Sequence, residues 1–119
     1  MRAFDSLRGR REFMLVMRRG TRVVRDPLTV YGFAPRGARQ TKVGVVIPVS
    51  VGSAVHRNRL RRRCKAIFER IGTPSPHRWY VVSCRHGAAE LPFADLRRHL
   101  ASALEHADRP AVAPARRRA

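Results

Sequence analysis

Acid is scarce in this chain. Its 119 residues include eight Asp and Glu against 26 Lys and Arg, a formal net charge of +18 with histidines neutral. So lopsided a balance bears on partners rather than on fold, and it calls for a polyanion, either nucleic acid or an anionic membrane surface. It disfavours an ordinary small-molecule enzyme. Lysine is nearly missing too: only Lys42 and Lys65 are lysines. Arginine's planar fork suits phosphate contacts and stacking, although a GC-rich genome produces the same bias. Two cysteines, Cys64 and Cys84, build no disulfide framework and match no zinc spacing with histidine, so they read as buried thiols in a reducing cytoplasm. No apolar run approaches the roughly 20 residues of a membrane span. The first eleven residues carry four arginines and no apolar stretch, so no secretory signal is expected.

Catalytic constellations are also absent. The acids (Asp5, Glu12, Asp26, Glu69, Glu90, Asp95, Glu105, Asp108) are scattered, with no pair arranged to hold the metal ions of a protein nuclease. His56, His77, His86, His99 and His106 follow no ligand spacing, and Ser50 and Ser53 have no evident base. Any chemistry must come from a partner.

What is present is a core. An apolar content of 44% and this length support one compact domain over residues 1–107. The remaining residues, 108–119, lack aromatics and are expected to form a disordered basic tail. Removing residues 109–119 takes four arginines and no acid from the +18, leaving +14 on the body.

Phe13, Val16 and Met17 share a helical face in a segment from Arg10 to Arg19, ended by Gly20. Thr21–Arg25 reads as a short strand before Asp26-Pro27. Leu28–Ala34 and Thr41–Pro48 read as strands joined by Pro35-Arg36-Gly37-Ala38, an antiparallel hairpin with Tyr31 facing away from Val30. Ser53 caps a helix running to Ile71, where Gly72 and Pro74 end it. Leu60, Cys64, Ile67, Phe68 and Ile71 make its apolar stripe. Trp79–Arg85 is a fourth strand, and a last helix follows Pro92 to Ala107. The predicted class is α+β, in the order α-β-β-β-α-β-α, with a four-stranded sheet packed by helices.

The middle helix carries Arg57, Arg59, Arg61, Arg62, Arg63, Lys65 and Arg70 against one acid, Glu69. Like charges at i,i+3 and i,i+4 repel by a few tenths of a kcal/mol per pair. A merely solvated face mixes signs, so this one reads as a phosphate-binding face. Membrane binding is disfavoured because the apolar stripe must close the core. Phe13, Met17 and Tyr31 fit either ordinary core packing or the stacking wall of a single-strand groove.

The string Gly52-Ser53-Ala54-Val55-His56-Arg57-Asn58-Arg59-Leu60-Arg61-Arg62 resembles the signature of the protein subunit of bacterial ribonuclease P. Glu12-Phe13 before Gly20-Thr21, Leu28–Tyr31, and Lys42-Val43-Gly44-Val45 resemble further segments of that family. The resemblance spans roughly Leu7 to Ala107 and implies a left-handed βαβ crossover, against the usual hand. It implies a protein without catalytic residues or small-molecule substrate. Such a subunit binds ribonuclease P RNA and the 5′ leader of precursor tRNA in the cytoplasm, while Mg2+ held by the RNA cleaves the leader. Carried over, the RNA-subunit-binding residues are Arg57, Asn58, Arg59, Arg61, Arg62 and Lys65. The leader-binding residues are Phe13, Met17, Tyr31 and Arg85.

Four positions depart from the family pattern. Val49 and Ser50 stand where a lysine pair is common, removing charge at the cleft edge. Met17 replaces a frequent aromatic, and Ser53 replaces an Asn while still able to cap. The alternatives are a ribosomal or other structured-RNA-binding protein and, more remotely, a self-sufficient metal nuclease.

Overall fold

The computed structural model describes residues 4–71 and 77–107. Along the chain run β1 (Asp5–Ser6), α1 (Gly9–Arg19), β2 (Thr21–Arg25), β3 (Leu28–Phe33), β4 (Lys42–Val46), α2 (Ala54–Ile71), β5 (Trp79–Cys84) and α3 (Phe93–Ala107). The α+β class and the three helices agree with the sequence reading. The tail 108–119 and the helix-ending Gly72 and Pro74 lie outside the described residues.

The strands form one mixed sheet in the order β1-β4-β5-β3-β2. Two expectations need correction here. The sheet has five strands rather than four, the extra one being β1, which pairs parallel to β4 with Asp5 beside Lys42. Two residues carry no periodicity, so nothing local announces this strand. Its partners define it: the Asp5 N–H donates to Thr41 O at 2.8 Å and the Leu7 N–H to Val43 O at 3.2 Å.

The second correction concerns the hairpin expected between β3 and β4, which does not form. Strand β5 lies between them, antiparallel to β3 and parallel to β4. Its run Trp79-Tyr80-Val81-Val82 is apolar on both faces, which suits a central strand covered from both sides. That burial overrides the tendency of consecutive strands to pair. The hairpin that does form joins β2 to β3, with Val23 opposite Val30. The arginine-bearing β2, exposed at alternate residues, takes the sheet edge.

Alternation along the strands makes two apolar layers. Val30, Val43, Val45, Tyr80, Val82 and Cys84 pack with Leu60, Cys64, Ile67 and Phe68 of α2 and with Leu96, Leu100, Ala103 and Leu104 of α3. On the opposite face Val16 of α1 is buried with Leu7 and Val81, ringed by the half-buried Phe13, Met17, Tyr31, Phe33, Val46 and Trp79. Both cysteines are free and buried in the first layer. A hydrogen bond to Cys84, together with burial, pushes the Cys64 thiol well above its ordinary pKa.

Gly20 does end α1, but with φ −82° rather than in the left-handed region. Close approach explains it: a Cβ there would fall 2.5 Å from Val16 O and 2.7 Å from Gly32 O, both backbone atoms that cannot yield cheaply. Gly20→Ala should therefore destabilise the fold by about 1–3 kcal/mol. Urea denaturation checks this; a loss under about 0.5 kcal/mol would contradict the close approach.

Candidate nucleic-acid interface

The basic helix is fixed at its start by its own sequence. Ser53 Oγ accepts the His56 N–H at 3.3 Å, and Ser53 O accepts the Arg57 N–H at 2.9 Å, the cap expected of a serine there. Three guanidiniums are then tied to the frame. Arg57 Nε donates to Gly52 O at 3.1 Å, Arg61 Nη1 to Val45 O at 2.7 Å and Arg63 Nη1 to Leu91 O at 3.5 Å. Each keeps other N–H donors, since a guanidinium has five. Asn58, Arg59 and Arg62 are exposed, and Lys65 is half-buried.

The ion pairs of the described residues join Glu12 to Lys42, Asp26 to Arg85 and Asp95 to Arg98. None takes a cation from α2. A hollow of about 260 Å³ lies along one flank, lined by Phe4, Ser6, Arg62, Lys65, Ala66 and Glu69. The six residues expected to meet an RNA partner thus stand on one helix. Arg57 and Arg61 also serve as struts, which the sequence did not reveal.

The opposite face of the sheet is only partly roofed. Helix α1 crosses it from Gly44 on β4, where an added Cβ would overlap the Phe13 ring, to Gly32 on β3, which Gly20 approaches closely. The crossing divides the face. On one side lie Val46, Ser83 and Thr29; on the other lie Lys42, Trp79 and Phe33. By the helix period Met17 and Glu12 flank Val16 on opposite sides, and Glu12 reaches Lys42. Met17 therefore borders the Val46 side. Tyr31 pairs across with Val81 under the same helix.

Phe13, Met17 and Tyr31 belong to one cluster and remain half-buried, so each packs the layer and still offers a surface. Arg85 does not join them. It lies four residues beyond Val81, about 13 Å along the strand at roughly 3.3 Å per residue. There its guanidinium pairs with exposed Asp26 at 3.4 Å and its N–H donates to Pro27 O at 2.9 Å.

A staple that sequence reasoning missed sets the height of α1. Glu12 Oε1 accepts the Arg8 N–H at 2.6 Å and Oε2 pairs with Lys42 Nζ at 3.2 Å, both side chains being more than three-quarters buried. Lys42 Nζ in turn lies 4.8 Å from the centre of the Trp79 ring. Glu12 in a first helical turn was the available signal, but its partner is thirty residues away. No group of three His, Cys, Asp or Glu among the described residues is placed to hold a metal ion. Among the same residues no helix is long and apolar enough to cross a membrane.

Comparisons with known proteins bear on the family and the fold. The family model for ribonuclease P matches residues 1–108. The ribonuclease P protein component of Shouchella clausii is 31% identical over 107 residues, covering 89% of this chain and 84% of that one. That of Thermobifida fusca is 33% identical, covering 89% and 78%. The ribonuclease P protein of Thermotoga maritima superposes with a TM-score of 0.75 at 27% identity, over 86% of this chain and 96% of that one. The chain belongs to the ribonuclease P protein family. It is thereby a protein component of an endoribonuclease of tRNA 5′ processing, with ribonuclease P RNA as its partner.

The staple generates a prediction. Glu12→Ala leaves a partly buried ammonium unpaired and should cost about 1–3 kcal/mol, with a coupling to Lys42→Ala of at least ~0.5 kcal/mol. The more open Asp95–Arg98 pair, treated identically, should couple by less than ~0.5 kcal/mol. Urea unfolding of the two double-mutant cycles compares them; equal couplings would remove the staple's special role.

Proposed function

We propose that this chain docks onto ribonuclease P RNA through α2 and holds the 5′ leader of precursor tRNA in the groove beside α1. The observation that carries the reading is the row of α2 cations, anchored by backbone carbonyls and left free of carboxylates among the described residues. Held guanidiniums meet phosphates without first losing the freedom of a flexible side chain. Arg59 and Arg62, with Asn58 beside them in the family-like string, present the open donors. Lys65 extends the row, and Arg57 and Arg61 contribute the N–H groups their carbonyl bonds leave over.

Leaders differ between tRNAs, so the groove must grip without reading bases. Phe13, Met17 and Tyr31 supply apolar and aromatic surface on which unpaired bases stack, whatever their identity. Met17 offers polarizable bulk where a ring would offer a flat face. Arg85, away from this cluster and bound to Asp26, serves at most a strand that continues past Ser83. In this reading hydrolysis falls to magnesium held by the RNA, and the protein's part is charge neutralisation and leader capture.

Reconstitution with a cognate catalytic RNA tests this. The complex should bind precursor tRNA with a several-nucleotide leader more tightly than mature tRNA, and Tyr31→Ala should reduce that preference by about 1–3 kcal/mol. Equal affinities for precursor and product would remove the groove. Binding of the protein to the RNA should weaken with salt. Arg59→Ala with Arg62→Ala should make the log–log slope shallower by about 0.7–0.9 for each phosphate no longer neutralised. A slope indifferent to both substitutions would end the α2 assignment.

A further inference from the structure

The far side of α1 holds a hollow that neither role above uses. It measures about 420 Å³ and is lined by residues 35–40 together with Lys42 and Trp79. That volume falls within the roughly 300–1,000 Å³ of ligand sites. Its cations are not equivalent. Lys42 is committed to Glu12 at 3.2 Å, and Gln40 is committed to Asp5 through a 2.7 Å hydrogen bond. Arg36 and Arg39 are exposed, and among the described residues no carboxylate lies within 4 Å of either.

The turn at Arg36 is short and closed. Gly37 takes φ +76° and the Ala38 N–H donates to Pro35 O at 3.2 Å. Arg36 within this turn and Arg39 just after it both line the hollow. Its floor is the pair formed by Lys42 and the half-buried indole of Trp79, with ammonium and ring centre 4.8 Å apart. A lone inorganic anion would use the two arginines and leave the indole idle. A recessed indole is also ill placed to insert into a membrane.

We propose that this hollow is a second site for unpaired RNA, taking one nucleotide with its phosphate between Arg36 and Arg39 and its base over the Trp79–Lys42 floor. The site lies across α1 from the groove bordered by Met17 and Tyr31. It extends the RNA-binding surface to the end of the sheet where Val49 and Ser50 play no part.

Trp79 is the only tryptophan of the chain, so its fluorescence reports on this hollow. Titrating the purified protein with an unpaired five-nucleotide RNA should give a saturable change in that emission. Arg36→Gln with Arg39→Gln should raise the midpoint about tenfold and make its salt slope shallower by about 0.7 per arginine. Arg22→Gln with Arg97→Gln, exposed on β2 and α3 and outside either proposed RNA-binding surface, should move the same midpoint less than about twofold. No emission change, or equal shifts from the two pairs of substitutions, would overturn the site. In the reconstituted complex, a loss from the Arg36/Arg39 pair that grows with leader length assigns the strand to the leader. A loss of protein–RNA affinity instead assigns it to the RNA subunit. Failure of the leader groove would leave the Trp79 titration intact, so the two readings fail separately.

Discussion

Repulsion along α2 is the constraint around which the rest of the molecule is arranged. Seven cations and one acid on a single helix would favour melting if the helix stood alone. It persists because its other stripe is sealed: Leu60, Cys64, Ile67 and Phe68 are all at most 2% exposed. Each such side chain contributes about 1.5–3 kcal/mol on burial, against a few tenths per repelling pair. The carbonyl bonds of Arg57, Arg61 and Arg63 add a second restraint, turning part of the charge into scaffold. Core burial therefore sets where the charge can stand.

The opposite face follows a different logic. A five-stranded sheet is wide, and α1 has only eleven residues to cover it. Full coverage would bury Tyr31 and Phe33 and leave no groove. Partial coverage leaves apolar surface half-open, which is costly in water unless a partner uses it. The Glu12–Lys42 pair and the seating of Phe13 on Gly44 hold the helix at one height and one crossing point. The open areas on either side thereby keep their shape without a ligand.

Much of this was legible in the chain itself. The cap at Ser53 and the stripe from Leu60 to Phe68 are local signals, and they emerged where the residue pattern placed them. The family-like string from Gly52 to Arg62 named the basic face. What escaped was non-local. Strand β1 exists only through its bonds to Thr41 and Val43. Strand β5 displaces the expected hairpin because burying its apolar run on both faces outweighs the short connection between β3 and β4. The partition of guanidiniums into struts and open donors depends on carbonyls as far away as Val45 and Leu91. The family resemblance assigns Arg85 to the groove, whereas it lies beyond the Val81 crossing with its side chain paired to Asp26 at the β2–β3 turn.

The few acids are distributed in the same sense. A chain with eight carboxylates has enough to quench one cationic face, and placing them at α2 would relieve its repulsion. Instead Glu12 serves α1, Asp26 serves the β2–β3 turn, Asp95 pairs within α3, and Asp5 accepts the Ser6 N–H and the Gln40 amide at the edge strand. Glu69, the acid that does sit on α2, lies beside the hollow of Arg62 and Lys65 rather than in an ion pair with either. Stability alone would draw carboxylates toward the densest positive charge. Their placement elsewhere leaves that potential available to an external polyanion, where released counterions make phosphate the favoured counterpart.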